Sequence, residues 1–465
     1  MSSFKNRDLT PPDAASLYRQ GLRCQDEGRL AEAEASYRRS LALDERQPKA
    51  HNNLGAVLHM QGRLDEAIQS YRRALELDPT LPQANQNLAA IAGDPATARR
   101  AVSGYLKHLQ VNPSDARAHN DLGKAYVELS MHAEALASFR EAVRLDPDSA
   151  EAHYSLAMAL LLAGDYREGW REYEWRWQVK AGQAPRRHAD RPLWDGGSLP
   201  GKTLLLHAEQ GLGDTLQFVR FARLAASRCG SLVLECQPAL ADLLRPVRGL
   251  ARVVAQGDAL PHFDAQLPLL SLPQVLGVEL DDLCRDPYIR ADPLKAKHCR
   301  AQLATDAGFH VGLVWAGRPE LWDDRRRSLG LPALAPLARV EGAAFYGLQV
   351  GAAAAQAASP PAGMRLLDCS ARIRDFSDTA ALVANLDLVI SVDTSVAHLA
   401  GAMGIPTWVL LPRPPDWRWL LGREDSPWYP TMRLFRQRTA GDWSEPVNRL
   451  VAAIKAWRRS EEQHV

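Results

Sequence analysis

The chain is poor in cysteine, has almost no excess of either charge, and lacks a long apolar run. Each shortage removes a class of function. The six cysteines among 465 residues are Cys24, Cys229, Cys236, Cys284, Cys299 and Cys369. None forms a C-x-x-C pair, and no histidine cluster joins them at zinc spacing. They read as buried or incidental thiols in a reducing compartment. Lys and Arg number 56 against 55 Asp and Glu, a formal net charge of +1. A whole-surface electrostatic case for binding nucleic acid therefore fails. No stretch reaches the roughly 18 uncharged apolar residues of a membrane span. The segment from Met1 to Asp8 has no apolar run behind its charges, so no secretory signal is expected. These absences predict a soluble, cytoplasmic protein. The one Asp-x-Asp match, Asp146-Pro-Asp148, falls in a turn, so neither a metal nor a bound cofactor is expected.

What the chain has is periodicity. Leu54-Gly55, Leu58, Ala67, Tyr71, Ala74 and Pro79 return after two steps of 34 as Leu122-Gly123, Tyr126, Ala135, Phe139, Ala142 and Pro147. Five units keep this register from residue 14 to 177, after an N-terminal stretch, 1–13, expected to be disordered. Small residues such as Gly55 and Ala67 sit where two antiparallel helices approach. Large ones such as Tyr71 fill the gap, and the prolines stop the second helix. No unit buries its apolar face alone, so the units must stack into an α-solenoid. The pattern resembles the tetratricopeptide repeat family. Asn53, Asn87 and Asp121 occupy one position in successive units. Two readings stay open for them: residues common at that repeat position, or a polar ladder for an extended acceptor peptide. Repeat-containing O-linked N-acetylglucosamine transferases use an asparagine ladder in the second way. The fifth unit turns aromatic at Trp170, Tyr173, Trp175 and Trp177, which predicts burial against the following domain.

After a basic, Pro/Gly-rich linker over 178–200, strand and helix alternate. Short apolar runs at 203–207, 231–235, 252–255 and 264–267 predict one parallel sheet within 201–300. Runs at 311–315, 344–349, 364–368, 388–392 and 407–411 predict a second within 308–458. A helix is expected over 215–228, a final amphipathic one over 446–458, and a frayed tail over 459–465.

Three motifs carry chemistry. In Ile390-Ser-Val-Asp393-Thr394-Ser395-Val-Ala-His398 a strand ends and small hydroxyl residues open a helix. Helix N-termini at the carboxyl ends of parallel strands suit phosphate. An Asp/Thr/Ser helix cap with a packed histidine fits the spacing as well. In Glu209-Gln-Gly211-Leu-Gly213-Asp214 glycines permit a tight turn after a strand. Asp214 is either the cap of the next helix or a group aimed into a cleft. In Val314-Trp-Ala-Gly317-Arg318 and the following Arg325–Ser328, Arg327 and Ser328 are the candidate pair for an anionic leaving group.

The run Asp393-Thr-Ser-x-Ala-His398-Leu-Ala-Gly-Ala-x-Gly-x-Pro resembles the donor-binding segment of heptosyltransferase-like glycosyltransferases. Asn385–Ser391 and Asp416-Trp-Arg-Trp419 are similar to bacterial proteins that fuse tetratricopeptide repeats to such a domain. The resemblance implies a two-domain GT-B fold with two Rossmann-like parallel sheets. It implies that Asp393, Thr394, Ser395 and His398, with Gly211, Gly213, Arg327 and Ser328, hold a nucleotide-sugar diphosphate. It also implies that Asp214 is the general base of an inverting, metal-independent transfer. Ser395 stands where that family usually has glycine. Leu321, Trp322 and Asp323 stand where relatives often carry a histidine and an asparagine. The expected partners are a nucleotide sugar and a protein or peptide acceptor held by the repeats. A lipopolysaccharide or other glycan acceptor, and an inactive scaffold, are the alternatives.

Overall fold

Proline- and glycine-punctuated segments of about one third of the chain fold as antiparallel helix pairs. The computed structural model describes residues 12–92, 94–179, 186–301, 303, 308–319 and 324–462. The pairs are α1 (Ala14–Asp26) with α2 (Leu30–Leu43), α3 (Pro48–Met60) with α4 (Leu64–Leu77), and α5 (Pro82–Ala92) with α6 (Pro95–Val111). They continue as α7 (Ala116–Glu128) with α8 (His132–Leu145), and α9 (Ala150–Ala163) with α10 (Tyr166–Tyr173). The repeat glycine has a steric cause. A Cβ on Gly21, Gly55 or Gly123 would stand 2.5, 2.7 or 2.5 Å from the ring of Tyr37, Tyr71 or Phe139. Each ring lies on the partner helix of the same pair, so glycine sets how closely the two helices approach.

Two compact units result. One holds the chain through Pro147; the other holds Asp148–Pro319 and the chain from Asp324 onward. The fifth pair therefore belongs to the second unit, with the sheets. Trp170, 2% exposed, meets the ring of Phe218 at 5.8 Å and that of Trp417 at 5.2 Å, both edge-on. Trp170 and Tyr173 are thus buried as the aromatic run predicts, whereas Trp175 and Trp177 are only partly buried.

The first sheet comprises β1 (Leu199–His207), β2 (Cys229–Cys236), β3 (Arg252–Ala255) and β4 (Ala265–Pro268), in the order β3-β2-β1-β4. The second comprises β5 (Phe309–Val314), β6 (Ala343–Gly347), β7 (Leu366–Asp368), β8 (Leu388–Val392), β9 (Thr407–Leu411) and β10 (Met432–Arg436), in the order β10-β9-β8-β5-β6-β7. Every pairing within both sheets is parallel. The architecture is thus a helical-repeat array followed by two parallel α/β sheets. The chain reverses direction across the sheet between β1 and β4, and again between β5 and β8. Ligands of open parallel sheets collect at the carboxyl ends beside such switch points.

The helices between strands are α11 (Leu212–Phe218), α12 (Ala222–Ala226), α13 (Pro238–Leu244), α14 (Leu272–Leu276), α15 (Pro293–Arg300), α16 (Asp324–Arg327), α17 (Phe376–Val383) and α18 (Ser395–Ala402), and α19 (Ser444–Glu462) follows the last strand. The single helix expected over 215–228 is broken by a 3-10 turn at Val219–Phe221. The cause is local: Arg220 Nε donates to the Gln217 carbonyl at 3.0 Å, and the Tyr288 hydroxyl donates to the Leu216 carbonyl at 2.9 Å. Those carbonyls are engaged from the side, where a regular helix would offer them to its next turn. Helix α19 continues to Glu462, into the segment expected to fray, because no Gly or Pro stops it.

Candidate functional site

The site grows from two strand ends. After β8, Asp393 leaves the sheet and Thr394 takes the N-cap position of α18 in extended backbone. The Thr394 hydroxyl bonds the Ser391 hydroxyl at 2.9 Å and leaves the helix amides uncapped by its side chain. His398 follows one turn in and is buried. Its Nδ1 meets the Tyr429 hydroxyl at 3.0 Å, and its Nε2 lies 4.0 Å from Asp393 Oδ1. The imidazole stacks at 19° on the Trp419 ring. Burial, followed by the Arg418 and Arg220 cations, holds His398 well below the usual histidine range, so it is neutral at pH 7. Asp393 shifts the other way. Burial, and next the Asp416 carboxylate beside it, push its carboxyl up to about 6.

After β1, the chain turns through Gly211 into α11. Asp214 Oδ2 accepts the Gly211 amide at 2.8 Å, so Asp214 does cap its own helix. The other oxygen, Oδ1, accepts from Arg418 Nη2. Arg418 is the centre of the site. Its Nη1 donates to Asp416 at 2.9 Å, its Nε donates to Gln217 at 2.9 Å, and its guanidinium lies 4.3 Å over the Trp417 ring. Burial opposes its charge, but the Asp416 and Asp214 carboxylates outweigh burial and raise its pKa.

The two strand ends touch. A Cβ on Gly213 would stand 2.9 Å from His398 Cδ2, so only glycine lets the start of α11 lie against α18. Gly211, Gly213, Asp214, Asp393, Thr394, Ser395 and His398 are thereby brought to one place. Arg327 donates from Nε to Asp324 at 3.1 Å, and its charge acts on Asp393. Ser328 serves the loop itself: its hydroxyl accepts the Gly317 amide and donates to Asp324, both at 2.9 Å. Leu321, Trp322 and Asp323 lie outside the described residues.

In the other compact unit, Asn53, Asn87 and Asp121 are hydrogen-bonded to neighbours. Asn87 donates to Asn52 at 3.0 Å, Asn52 to Asn53 at 3.1 Å, and Asn53 to the Tyr18 hydroxyl at 3.1 Å. Asp121 pairs with Lys124 at 3.4 Å. Sequence reasoning assigned no role to Arg418 or Asp416. The signal was an arginine set between two tryptophans in Asp416-Trp-Arg-Trp419, but its partner Asp214 lies 204 positions away. Among the described residues no three His, Cys, Asp or Glu side chains converge as metal ligands, and no helix is long and apolar enough to cross a membrane.

Family models described as tetratricopeptide repeat match residues 48–81, 87–150 and 121–174, and one described as TPR repeat matches 21–62. The N-terminal helix pairs are tetratricopeptide repeats. A curated relative, Protein FlbA of Caulobacter vibrioides, is 29% identical over 326 residues, covering 64% of this chain and 54% of that protein. The chain thus spans about half the length of the curated relative it matches. Among solved structures, the ADP-heptose lipopolysaccharide heptosyltransferase II of E. coli is 12% identical, with 56% of this chain and 99% of that one covered at a TM-score of 0.43. A glycosyl transferase family 9 protein of Veillonella parvula is 10% identical, with 52% and 88% covered at 0.41. The repeat protein TTC0263 of Thermus thermophilus is 22% identical, with 36% and 91% covered at 0.31.

Proposed function

We propose that the chain is a glycosyltransferase that moves a sugar from a nucleotide-diphosphate sugar to a protein or peptide acceptor brought by the repeats. The observation that supports this most is the meeting of the two strand ends, with Gly213 against His398 and Arg418 joining Asp214 to Asp416. The donor diphosphate would lie at the N-terminus of α18, where unbonded amides and the helix dipole attract anions. Arg327 and Arg418 supply positive charge there, so the transfer as proposed uses no metal ion.

The acceptor hydroxyl attacks the anomeric carbon from the face opposite the diphosphate. The carbon–oxygen bond to phosphate breaks, and its electron pair leaves with the nucleotide diphosphate. The hydroxyl proton passes to Asp214, and the sugar inverts. In the resting site both Asp214 oxygens are engaged, one by Arg418 and one by the Gly211 amide. The acceptor hydroxyl must therefore displace the Arg418 contact for Asp214 to act as base.

Calorimetric titration with a panel of nucleotide sugars and nucleoside diphosphates tests the reading. Saturable binding of one donor class, lost in His398→Ala and Asp393→Asn, is the expected result. Absence of binding by every donor overturns it and leaves an interaction scaffold. Given a donor, an acceptor screen separates peptides from glycans, and Asp214→Asn should bind donor without transferring it.

A further inference from the structure

We propose that the fifth repeat positions the candidate base, with Arg176 and Tyr173 as positioning residues for the turn that leads into α11 and Asp214. The chemistry rests on the glycosyltransferase reading; the geometry stands without it.

Residues 208–211 link β1 to α11 with little regular backbone bonding, yet each is tied down. Arg176 lies in the 3-10 turn Glu174–Trp177 that follows α10 and is 1% exposed. Its Nη2 donates to Glu209 at 3.0 Å and to the Ser271 hydroxyl at 2.8 Å, and its Nη1 donates to Glu174 at 2.6 Å. Ser271 closes the ring by donating to Glu174 at 3.0 Å. The guanidinium lies between the rings of Tyr173 and Trp177, at 4.8 and 4.7 Å. One residue on, Gln210 Nε2 donates to the Tyr173 hydroxyl at 3.0 Å, and Gln237 Nε2 donates to the Gln210 carbonyl at 2.7 Å. The Gly211 amide is then taken by Asp214 itself.

Two of these tethers come from the end of the repeat array. The Arg176 tether is the stiffer one, because Arg176 is buried and held on Glu174, Ser271 and two rings, and Glu209 has its cation there. Glu209 is therefore fixed five positions before Asp214. A general base needs placement within about 0.5 Å of its productive position, and a displacement of ~1 Å can cost ~100-fold in rate. The last repeat thus holds the turn from which Asp214 reaches the site. The donor residues Asp393–His398 follow the other sheet and have their own anchors, Thr394 on Ser391 and His398 on Tyr429, and α11 meets them at Gly213, beyond the tethered residues 209 and 210.

The test uses the full chain in three forms: wild type, Tyr173→Phe, and the double variant Arg176→Met with Glu209→Gln. The double variant removes the Arg176 and Glu209 charges together, so neither buried ion strands the other; Glu174, 31% exposed, loses its cation but keeps the Ser271 hydroxyl. Donor affinity, kcat for transfer, and amide hydrogen exchange over 209–214 are measured. The expected result is donor affinity within about 2-fold of wild type, kcat lower by roughly 10–100-fold in the double variant, and faster exchange over 209–214. Tyr173→Phe should move kcat and exchange in the same direction by less. Wild-type exchange over 209–214 in both variants overturns the proposal, as does unchanged kcat with exchange raised. If wild type binds no donor, the functional reading has failed by itself, and faster exchange in the variants still upholds the positioning role.

Discussion

Replacing Arg418 by methionine keeps the apolar stem over Trp417 and removes the charge. Asp214 and Asp416 then lose their common partner, with Asp393 close to the latter. Breaking a buried ion pair from one side costs about 3–5 kcal/mol. The Arg418 and Asp214 side chains are 12% and 17% exposed but Asp416 is 32% exposed, which places the cost near the lower end, ~3 kcal/mol. For a folding unit of this size each kcal/mol moves the midpoint by about 2 °C, so the expected fall is ~6 °C. Tryptophan fluorescence is the suitable probe, because 11 of the 12 tryptophans stand in the second unit, the exception being Trp322, which lies outside the described residues. Adding Asp214→Asn to Arg418→Met should recover part of the loss, with a coupling of at least about 1 kcal/mol. A midpoint within 1–2 °C of wild type for Arg418→Met, an order-of-magnitude bound, would mean that Arg418 is not the keystone of the cluster.

Other perturbations test separate links. Asp393 holds its proton up to about 6 in the folded chain against an ordinary 3.8, so the folded state binds more protons than the unfolded one between those values. Its contribution to stability therefore falls as pH rises from about 4 to 6 and is flat above. Urea titrations should show Asp393→Asn gaining on wild type across that window; a constant difference would contradict the raised value. Gly213→Ala places a methyl 2.9 Å from His398 Cδ2 and should weaken donor binding at least ~10-fold with the repeats unaffected, which calorimetry and far-UV circular dichroism can check together. Gly55→Ala places one 2.7 Å from the Tyr71 ring; it should destabilise the repeats by about 1–3 kcal/mol despite the better helix propensity of alanine. That loss should appear in far-UV circular dichroism and be far smaller in tryptophan fluorescence, which 11 second-unit tryptophans dominate.

The sequence is most readable where burial is two-sided. Leu204–Leu206 and Val389–Ile390 are fully buried and stand out as apolar runs. Strand β10, Met-Arg-Leu-Phe-Arg, is an edge strand whose arginines blur the alternation, and it was not foreseen. The repeat period is legible because one glycine–aromatic contact recurs three times. For the site, residue types at strand ends locate Asp214 and Asp393–His398, since strand-end loops draw on a narrow set of small and acidic residues. Arg418 and Arg176 escape such reading. Each has one carboxylate two positions before it, Asp416 or Glu174, but the partner that ties it to the β1–α11 segment, Asp214 or Glu209, comes from a separate element, and spacing along the chain carries no trace of that. The helix break at Val219–Phe221 escapes for the same reason: Tyr288, which engages the Leu216 carbonyl, is 72 positions away.

The division between Pro147 and Asp148 has a practical meaning for recombining this chain. By sequence, the natural place to cut is after Trp177, where the last repeat ends. A chimera joined there would replace Tyr173 and Arg176 along with α9–α10 and set foreign side chains around Glu209 and Gln210. A junction at 147/148 carries the fifth pair along with the sheets and leaves four pairs to exchange. The first four pairs are then interchangeable up to that seam, and the helices beyond it are inherited with the candidate site.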